Sequence, residues 1–324
     1  MSEIELQIDS FMLYCDSKHL SKKTLASYEQ TLKLFGLYLK NEFKIDDVSK
    51  VKSSHVRHYV KYLRERGKYT VAVKEKSKKV NHPDHRHDFN KPISDTTIAN
   101  YLRNIKVFFN FLYNEREIKI NPVENIKNIT PNRKKKALLS PEEIKSVLDS
   151  FDISQFHSYR SWVQTRLILD TGIRATECCN LRPDNIDFKN KSILIENPKN
   201  HQERYVYFGF KMANDLKRWL QYRDRYSDSP YLFPTIRGTK LDVRNFERTL
   251  KQAGNKVGVN IHPHLLRNNF AKYYLIEGNG DFATLSRILG HSSVDVTMKA
   301  YLDFTDEEVG RKYQKHSPLN NLDI

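Results

Sequence analysis

Cysteine is scarce in this chain, and long apolar runs are absent from its sequence. Cys15, Cys178 and Cys179 are its only cysteines. They give no disulfide framework, which favours a reducing cytoplasm. The sequence has no run of 18 apolar residues, so we expect no membrane span and no membrane partner. The start MSEIELQIDSF lacks a basic segment and an apolar core, so we expect no signal peptide.

Negative charge is also in short supply. The 324 residues include 55 Lys and Arg against 39 Asp and Glu, a formal net charge of +16. Residues 51–137 hold 21 of these basic and 8 of these acidic residues, a net of +13 that leaves +3 for the rest of the chain. A solubilising surface would spread the excess more evenly. A nucleic-acid partner explains the asymmetry better.

Apolar residues recur at three- and four-residue steps in four stretches before residue 126. This period predicts four amphipathic helices, the second of them capped by Ser21 or Thr24. The predicted helices cover 3–17, 22–41, 53–66 and 95–115.

Residues 67–94 between the third and fourth helices are polar, basic and without clear periodicity. They predict a long loop or a β-ribbon inserted into the helical domain, with DNA backbone contact as its use. The histidines and aspartates of this segment lack cysteine partners, and we expect no metal site. They are His82, Asp84, His85, His87 and Asp88.

A domain boundary is predicted at 126–139, where Pro131 interrupts helix formation and a basic run follows. That run, Arg133, Lys134, Lys135 and Lys136, is either a solvated linker or a contact to the phosphate backbone. Ser140 and Pro141 then open a second domain with a capping box. The predicted parts are a helical domain over 1–125, a basic linker over 126–139, a second domain over 140–304 and a tail over 305–324.

Several chemically useful side chains fall in one short region, 262–304. His264 and Arg267 form a His-x-x-Arg pair, and Tyr301 lies ten residues after His291. Apolar residues recur between them at helical spacing, so packed helices should carry these groups, with Gly290 ending one of them. A lone tyrosine at such spacing is more often a core residue. A nucleophile, two histidines and an arginine, however, suit metal-free attack on a phosphodiester, whose transition state needs fixed donors.

Such a site needs a second arginine, and the run DTGIRATECC supplies one upstream. Arg174 follows the predicted end of an apolar helix, and Glu177 lies three residues later. The segments SILIE and ERYVYF then predict two strands joined by a turn at 197–200. Lys199 in that turn is either a solvated hairpin lysine or a general acid for the departing oxygen.

The candidate site residues, in their order along the chain, resemble the catalytic set of the tyrosine recombinases, the family of lambda integrase, Xer and Cre. The resemblance rests on the contexts TGIR, HPHLLR and LGHSSVDVTMKAY. Asn268 departs from the family pattern, which often has His there, and Pro-Lys-Asn replaces the common Gly-Lys-Gly of the hairpin. The matching residues are Arg174, Lys199, His264, Arg267, His291 and Tyr301.

This resemblance implies a mainly α protein with a small β-sheet (α+β). A core-binding domain and a catalytic domain would form a C-shaped clamp around DNA. Tyr301 would attack a scissile phosphate to give a 3′-phosphotyrosine and a free 5′-hydroxyl, without cofactor, metal or ATP. The two arginines would hold the non-bridging oxygens, and Lys199 would protonate the leaving oxygen. His264 and His291 would orient the phosphate and handle the proton of the nucleophile.

The resemblance further implies a site-specific recombinase that integrates, excises or resolves a mobile element or replicon. Four protomers on two DNA sites would exchange strands through a Holliday junction, with the tail at 305–324 on a neighbouring protomer. Accessory factors that set direction are left open. The alternatives are a type IB topoisomerase-like enzyme and a catalytically idle DNA-binding protein. We expect a cytoplasmic, nucleoid-associated protein of prokaryotic or viral origin.

Overall fold

The computed structural model describes residues 2–73, 79–131, 138–196, 203–278, 280–301, 310 and 313. Contacts between Cα atoms divide the chain into two compact units, Met1–Lys134 and Lys135–Ile324. This division falls inside the segment predicted as a linker. None of the described helices is both long enough and apolar enough to cross a membrane.

The N-terminal unit contains the four helices that the apolar period predicts. Ser2 caps the first helix in a capping box with Glu5, and Ser21 caps the second by accepting from the amide of Thr24. Their inward faces are rich in aromatic rings, such as Phe11 and Phe108, whose centroids lie 5.5 Å apart. The helices are α1 (Glu3–Ser17), α2 (Lys22–Phe43), α3 (Ser53–Glu65) and α4 (Asp95–Asn114).

The inserted segment 67–94 is closed at its base. Gly67 and Pro92 form an isolated β-bridge, and the amide of Lys68 donates to the carbonyl of Lys91 at 2.9 Å. The described residues between them form turns, a helical stretch at 79–81 and a 3₁₀ helix at Pro83–His85. Side chains at 82, 84 and 85 bring possible ligand atoms within 4.8 Å of one another, and all three are exposed. The expectation that they bind no metal stays a prediction.

The second unit combines helices with a small antiparallel sheet. Its three strands pair in chain order, with Ile193 opposite Val206 and Ile195 opposite Arg204. The elements are α5 (Pro141–Asp149), α6 (Phe156–Thr171), α7 (Ala175–Asn180), β1 (Ile186–Asp187), β2 (Ser192–Ile195), β3 (Arg204–Tyr207), α8 (Phe210–Arg223), α9 (Val243–Lys256), α10 (Pro263–Ile276), α11 (Phe282–Leu289) and α12 (Val294–Tyr301).

Two glycines fix where helices of the second unit end. Gly172 ends α6 with φ +67°, and a Cβ there would lie 2.3 Å from the Phe270 ring on α10. Gly290 ends α11 with φ +62°, as the sequence predicts. The chain therefore turns sharply just before Arg174 and just before His291, which brings residues far apart in sequence to one place.

Candidate active site

Arg174 is fixed by a carboxylate on the first turn of α7. Its backbone amide donates to Glu177 Oε2 at 2.8 Å, and its Nη1 donates to Oε1 at 2.9 Å. Its Nη2 reaches across to the carbonyl of Gly290 at 3.2 Å. The Arg174 side chain keeps 26% of its surface exposed, so part of this guanidinium remains open to a ligand.

Arg267 is more deeply buried, with 3% of its surface exposed. Its two Nη atoms donate to the carbonyls of Gly172 at 2.5 Å and Leu289 at 2.6 Å. Burial and the nearby charge of Arg174 lower the pKa of Arg267 to about 10. The guanidinium is still charged at neutral pH, so the site contains a buried positive charge held by backbone carbonyls.

His291 contacts this charge directly. Its Nε2 lies 3.2 Å from Arg267 Nη2, and its Nδ1 lies 2.7 Å from the hydroxyl of Thr297. Because a guanidinium can only donate, Nε2 accepts and the ring proton sits on Nδ1. Burial first, and then the charge of Arg267, lower the pKa of His291 to about 4. The resting site therefore holds a neutral imidazole.

Tyr301 lies beside this histidine at the end of α12. Its ring is parallel to the His291 ring within 7°, with centroids 6.4 Å apart, and 5% of the residue is exposed. The hydroxyl donates to Asn268 Oδ1 at 3.3 Å. Burial raises the pKa of Tyr301, whereas Arg267 and Arg174 oppose that rise. Asn268, one of the two departures from the family pattern, thus contacts the hydroxyl of the candidate nucleophile.

His264 lies on the first turn of α10, three residues before Arg267. Its ring is exposed and stacks on that of His262 with centroids 6.5 Å apart. His264 is among the groups that lower the pKa of His291, after burial and the three arginines. Lys199 and the basic run at 133–136 lie outside the described residues.

Two further residues belong to this cluster that the predicted site set does not include. Glu177 is 8% exposed and accepts from both Arg174 and Arg204, the latter at 3.0 and 2.8 Å. Arg204 lies on β3 in alternation with the buried Val206. An arginine on the inward face of a predicted strand was the available signal, since a buried charge needs a partner.

The cluster has the chemistry for attack on a phosphate ester. Two guanidinium groups offer bidentate donors suited to anionic oxygens, and they lie beside a neutral imidazole and a phenol. The positive charges lower the cost of a phenolate at Tyr301, which a nucleophilic attack requires. None of these described side chains forms a set of metal ligands.

Comparison with known families agrees with this chemistry. Residues 137–308 match the phage integrase family, and residues 8–79 match the phage integrase N-terminal SAM-like domain. This chain belongs to the phage integrase family. It is an enzyme of the tyrosine recombinase class, as the sequence motifs predict, and a site-specific recombinase.

Relatives of this phage integrase family member span its whole length. The tyrosine recombinase XerC of Oceanobacillus iheyensis is 26% identical over 330 residues and is covered to 99%, as is this chain. A Tn1549 transposon integrase in complex with transposon right end DNA superposes with a TM-score of 0.74 at 17% identity, covering 98% of this chain and 100% of that one. A lambda integrase dimer bound to a COC′ core site gives 0.68 at 14% identity, covering 91% and 97%.

These likenesses confirm the predicted fold, a mainly helical recombinase with a small sheet. They favour neither a type IB topoisomerase nor an idle DNA-binding protein.

Proposed function

We propose that this recombinase cleaves and rejoins DNA through a transient covalent bond to Tyr301. The observation that carries the proposal is the convergence of two arginines, His291 and Tyr301 in one buried cluster. Its substrate would be double-stranded DNA at specific recombination sites, consistent with the formal net charge of +16.

In the first step the Tyr301 oxygen bonds to phosphorus, and the bond from phosphorus to the 5′-oxygen breaks. The hydroxyl must exchange its bond with Asn268 for the phosphate before it attacks. Arg174 and Arg267 hold the non-bridging oxygens with fixed donors that cost no reorganisation during the reaction. Nε2 of the neutral His291 accepts the phenol proton once it has released its bond with Arg267, and His264 is a second orienting group.

Lys199 is the proposed donor of the proton that the leaving 5′-oxygen needs. The phosphotyrosine keeps the energy of the broken bond, so a 5′-hydroxyl of another strand displaces it without ATP. The reverse step returns the proton to Tyr301. In this scheme two duplexes exchange their strands one pair at a time, and the first exchange produces a Holliday junction. The full exchange requires four active sites.

We therefore propose a homo-tetramer on two DNA sites. The N-terminal unit would bind the DNA as a core-binding domain, and Arg133 to Lys136 would contact its backbone. The tail at 305–324 would dock on a neighbouring protomer. The reaction would serve integration, excision or resolution of a mobile element or replicon in the nucleoid. Accessory factors, as further partners, would set its direction.

A suicide-substrate assay tests this function. Nicked duplexes carrying the ends of the DNA element that surrounds the gene are incubated with unmodified protein and with Tyr301→Phe. We expect a denaturation-resistant protein–DNA adduct with the unmodified protein alone. Tight binding without an adduct on any element-end substrate would contradict the proposal.

A further inference from the structure

Three arginines bond to three successive carbonyls at the C-terminus of α11. Arg204 Nε donates to Ile288 at 2.7 Å, Arg267 Nη2 to Leu289 at 2.6 Å, and Arg174 Nη2 to Gly290 at 3.2 Å. His291 is the next residue of the chain. The three guanidinium groups thus hold the peptide units that lead directly into a candidate catalytic residue.

These bonds are favourable for the helix end and for the arginines alike. The last four carbonyls of a helix have no partner within the helix and carry its partial negative charge. Guanidinium groups supply the missing donors, and the carbonyls compensate part of the buried positive charge. Gly290 lets Arg204 come this close, since a Cβ there would lie 2.9 Å from Arg204 Cζ and Nε.

Arg204 uses all three nitrogens of its guanidinium within the protein. Both of its Nη atoms bond to the Glu177 carboxylate, and its Nε bonds to Ile288. Its side chain is 9% exposed, compared with 26% for Arg174. Every nitrogen of the Arg204 guanidinium is therefore bonded to a protein oxygen, and its side chain is less open to a phosphate than that of Arg174.

Glu177 connects Arg204 to Arg174. The carboxylate accepts from both guanidinium groups and from the amide of Arg174. With Arg204 absent, the whole carboxylate charge would fall on Arg174, and the end of α11 would lose one of its three anchors. Both changes alter the geometry of groups proposed to hold the phosphate.

We propose that Arg204 is a positioning residue of the recombinase site, which fixes Glu177 and the end of α11 so that Arg174 and His291 face the same phosphate. This inference rests on the proposed function. Arg204 acts through its neighbours and does not touch the DNA.

The chain offers a matched control for a purely structural role. Arg166 on α6 bonds to Asp215 on α8 through Nε and Nη2, each at 2.7 Å, with side chains 29% and 11% exposed. This pair also joins two elements of the second unit, but it does not involve any residue of the cluster. Arg166→Met therefore removes a comparable ion pair and leaves the site intact.

Single-turnover cleavage of the suicide substrate is the first readout. Displacements near 1 Å in a reacting geometry cost about 100-fold in rate. We expect Arg204→Met to lower the rate of adduct formation by about 100-fold and Arg204→Lys by about 10-fold, because lysine keeps the charge without the fork. The Kd for DNA should stay within about twofold, since Arg204 makes no phosphate contact. Arg166→Met should cleave at the unmodified rate.

The pKa of His291 in the free protein is the second readout, followed by NMR of its ring. The groups that lower it are the guanidinium groups of Arg267, Arg174 and Arg204, together with His264. Arg204→Met should raise this pKa, and Arg166→Met should leave it unchanged. Arg166 is not among the groups that lower this pKa, so the difference reports the proximity of Arg204 to His291.

The outcomes separate the inference from the function it rests on. If the unmodified protein forms no adduct, the proposed function fails and takes this inference with it. If the adduct forms but Arg204→Met cleaves at the unmodified rate, or no more slowly than Arg166→Met, only the inference is overturned. Should Arg204→Met fail to fold by circular dichroism, Arg204→Lys decides, and unmodified cleavage by that variant would overturn the inference.

Discussion

Replacement of Gly290 by alanine tests the geometry at the end of α11. Gly290 has φ +62°, and an added Cβ would lie 2.9 Å from Arg204 Cζ and Nε and 3.0 Å from Cδ. Real Cβ contacts are essentially never shorter than about 3 Å, so Arg204 has to move. Its guanidinium cannot swing aside freely, because Glu177 and the carbonyl of Ile288 hold it.

The expected cost has two parts. A left-handed backbone costs an alanine about 1–2 kcal/mol, and the lower entropy of the unfolded alanine chain returns up to about 1 kcal/mol. Overpacking against a fixed side chain adds about 1–3 kcal/mol. We therefore expect Gly290→Ala to lower the free energy of unfolding by about 1–5 kcal/mol. Cleavage should slow as well, since Arg204 and the peptide before His291 are displaced.

Gly258 is a matched control within the same unit. It has φ +73°, and a Cβ built there meets no atom within 4 Å. Gly258→Ala therefore isolates the backbone part, at about 0–2 kcal/mol. Urea unfolding followed by tryptophan fluorescence measures both variants, because both tryptophans, Trp162 and Trp219, belong to the second unit.

One outcome of this comparison would contradict the described packing of Arg204 against Gly290. Equal losses of unfolding free energy in Gly290→Ala and Gly258→Ala would mean that Arg204 does not pack against Gly290 as described. Unchanged cleavage by Gly290→Ala would further mean that the end of α11 does not set the geometry of the site.

Three other predictions concern charge. Burial raises the pKa of Glu177, but the bonds and charges of Arg204 and Arg174 outweigh it and leave the pKa below its ordinary value. The Glu177 carboxylate should therefore stop contributing to the free energy of unfolding as the pH falls below about 4.5. In acid unfolding curves, Glu177→Gln should lose less unfolding free energy over this pH range than the unmodified protein. With a pKa of about 4, His291 should stay neutral from pH 5 to 8 in NMR titrations of the free protein, and protonation near pH 6.5 would contradict this. Replacing the four basic residues at 133–136 by glutamine should reduce the salt slope of DNA binding by about 3–4, and an unchanged slope would exclude their backbone contacts.

Much of the N-terminal fold was predictable because its information is local. The apolar period places all four helices within two residues of their observed ends. Of the two predicted caps of α2, Ser21 is the one observed, and its hydroxyl accepts from the amide of Thr24. The capping box at Ser140 and the left-handed Gly290 are equally local signals, and both are confirmed. Such features depend on residues within one or two turns of each other.

The contacts inside the site were less accessible to sequence reasoning because they join distant residues. Arg204 bonds to Glu177, 27 residues away, and to Ile288, 84 residues away. The contact from Tyr301 to Asn268 spans 33 residues. Strand alternation marks Arg204 as facing inward, but the identity of its partner depends on how the sheet packs against α11. The motifs nevertheless include Arg174, His291 and Tyr301, which the fold brings together around Arg267.

The most direct test of the central claim is to identify the residue bound to DNA. The adduct from the suicide substrate is digested with protease and nuclease, and the modified peptide is sequenced by mass spectrometry. We predict a nucleotide joined through its 3′-phosphate to Tyr301, and no adduct with Tyr301→Phe. A nucleotide on another tyrosine, such as the exposed Tyr273, or an adduct that persists in Tyr301→Phe, would contradict the account.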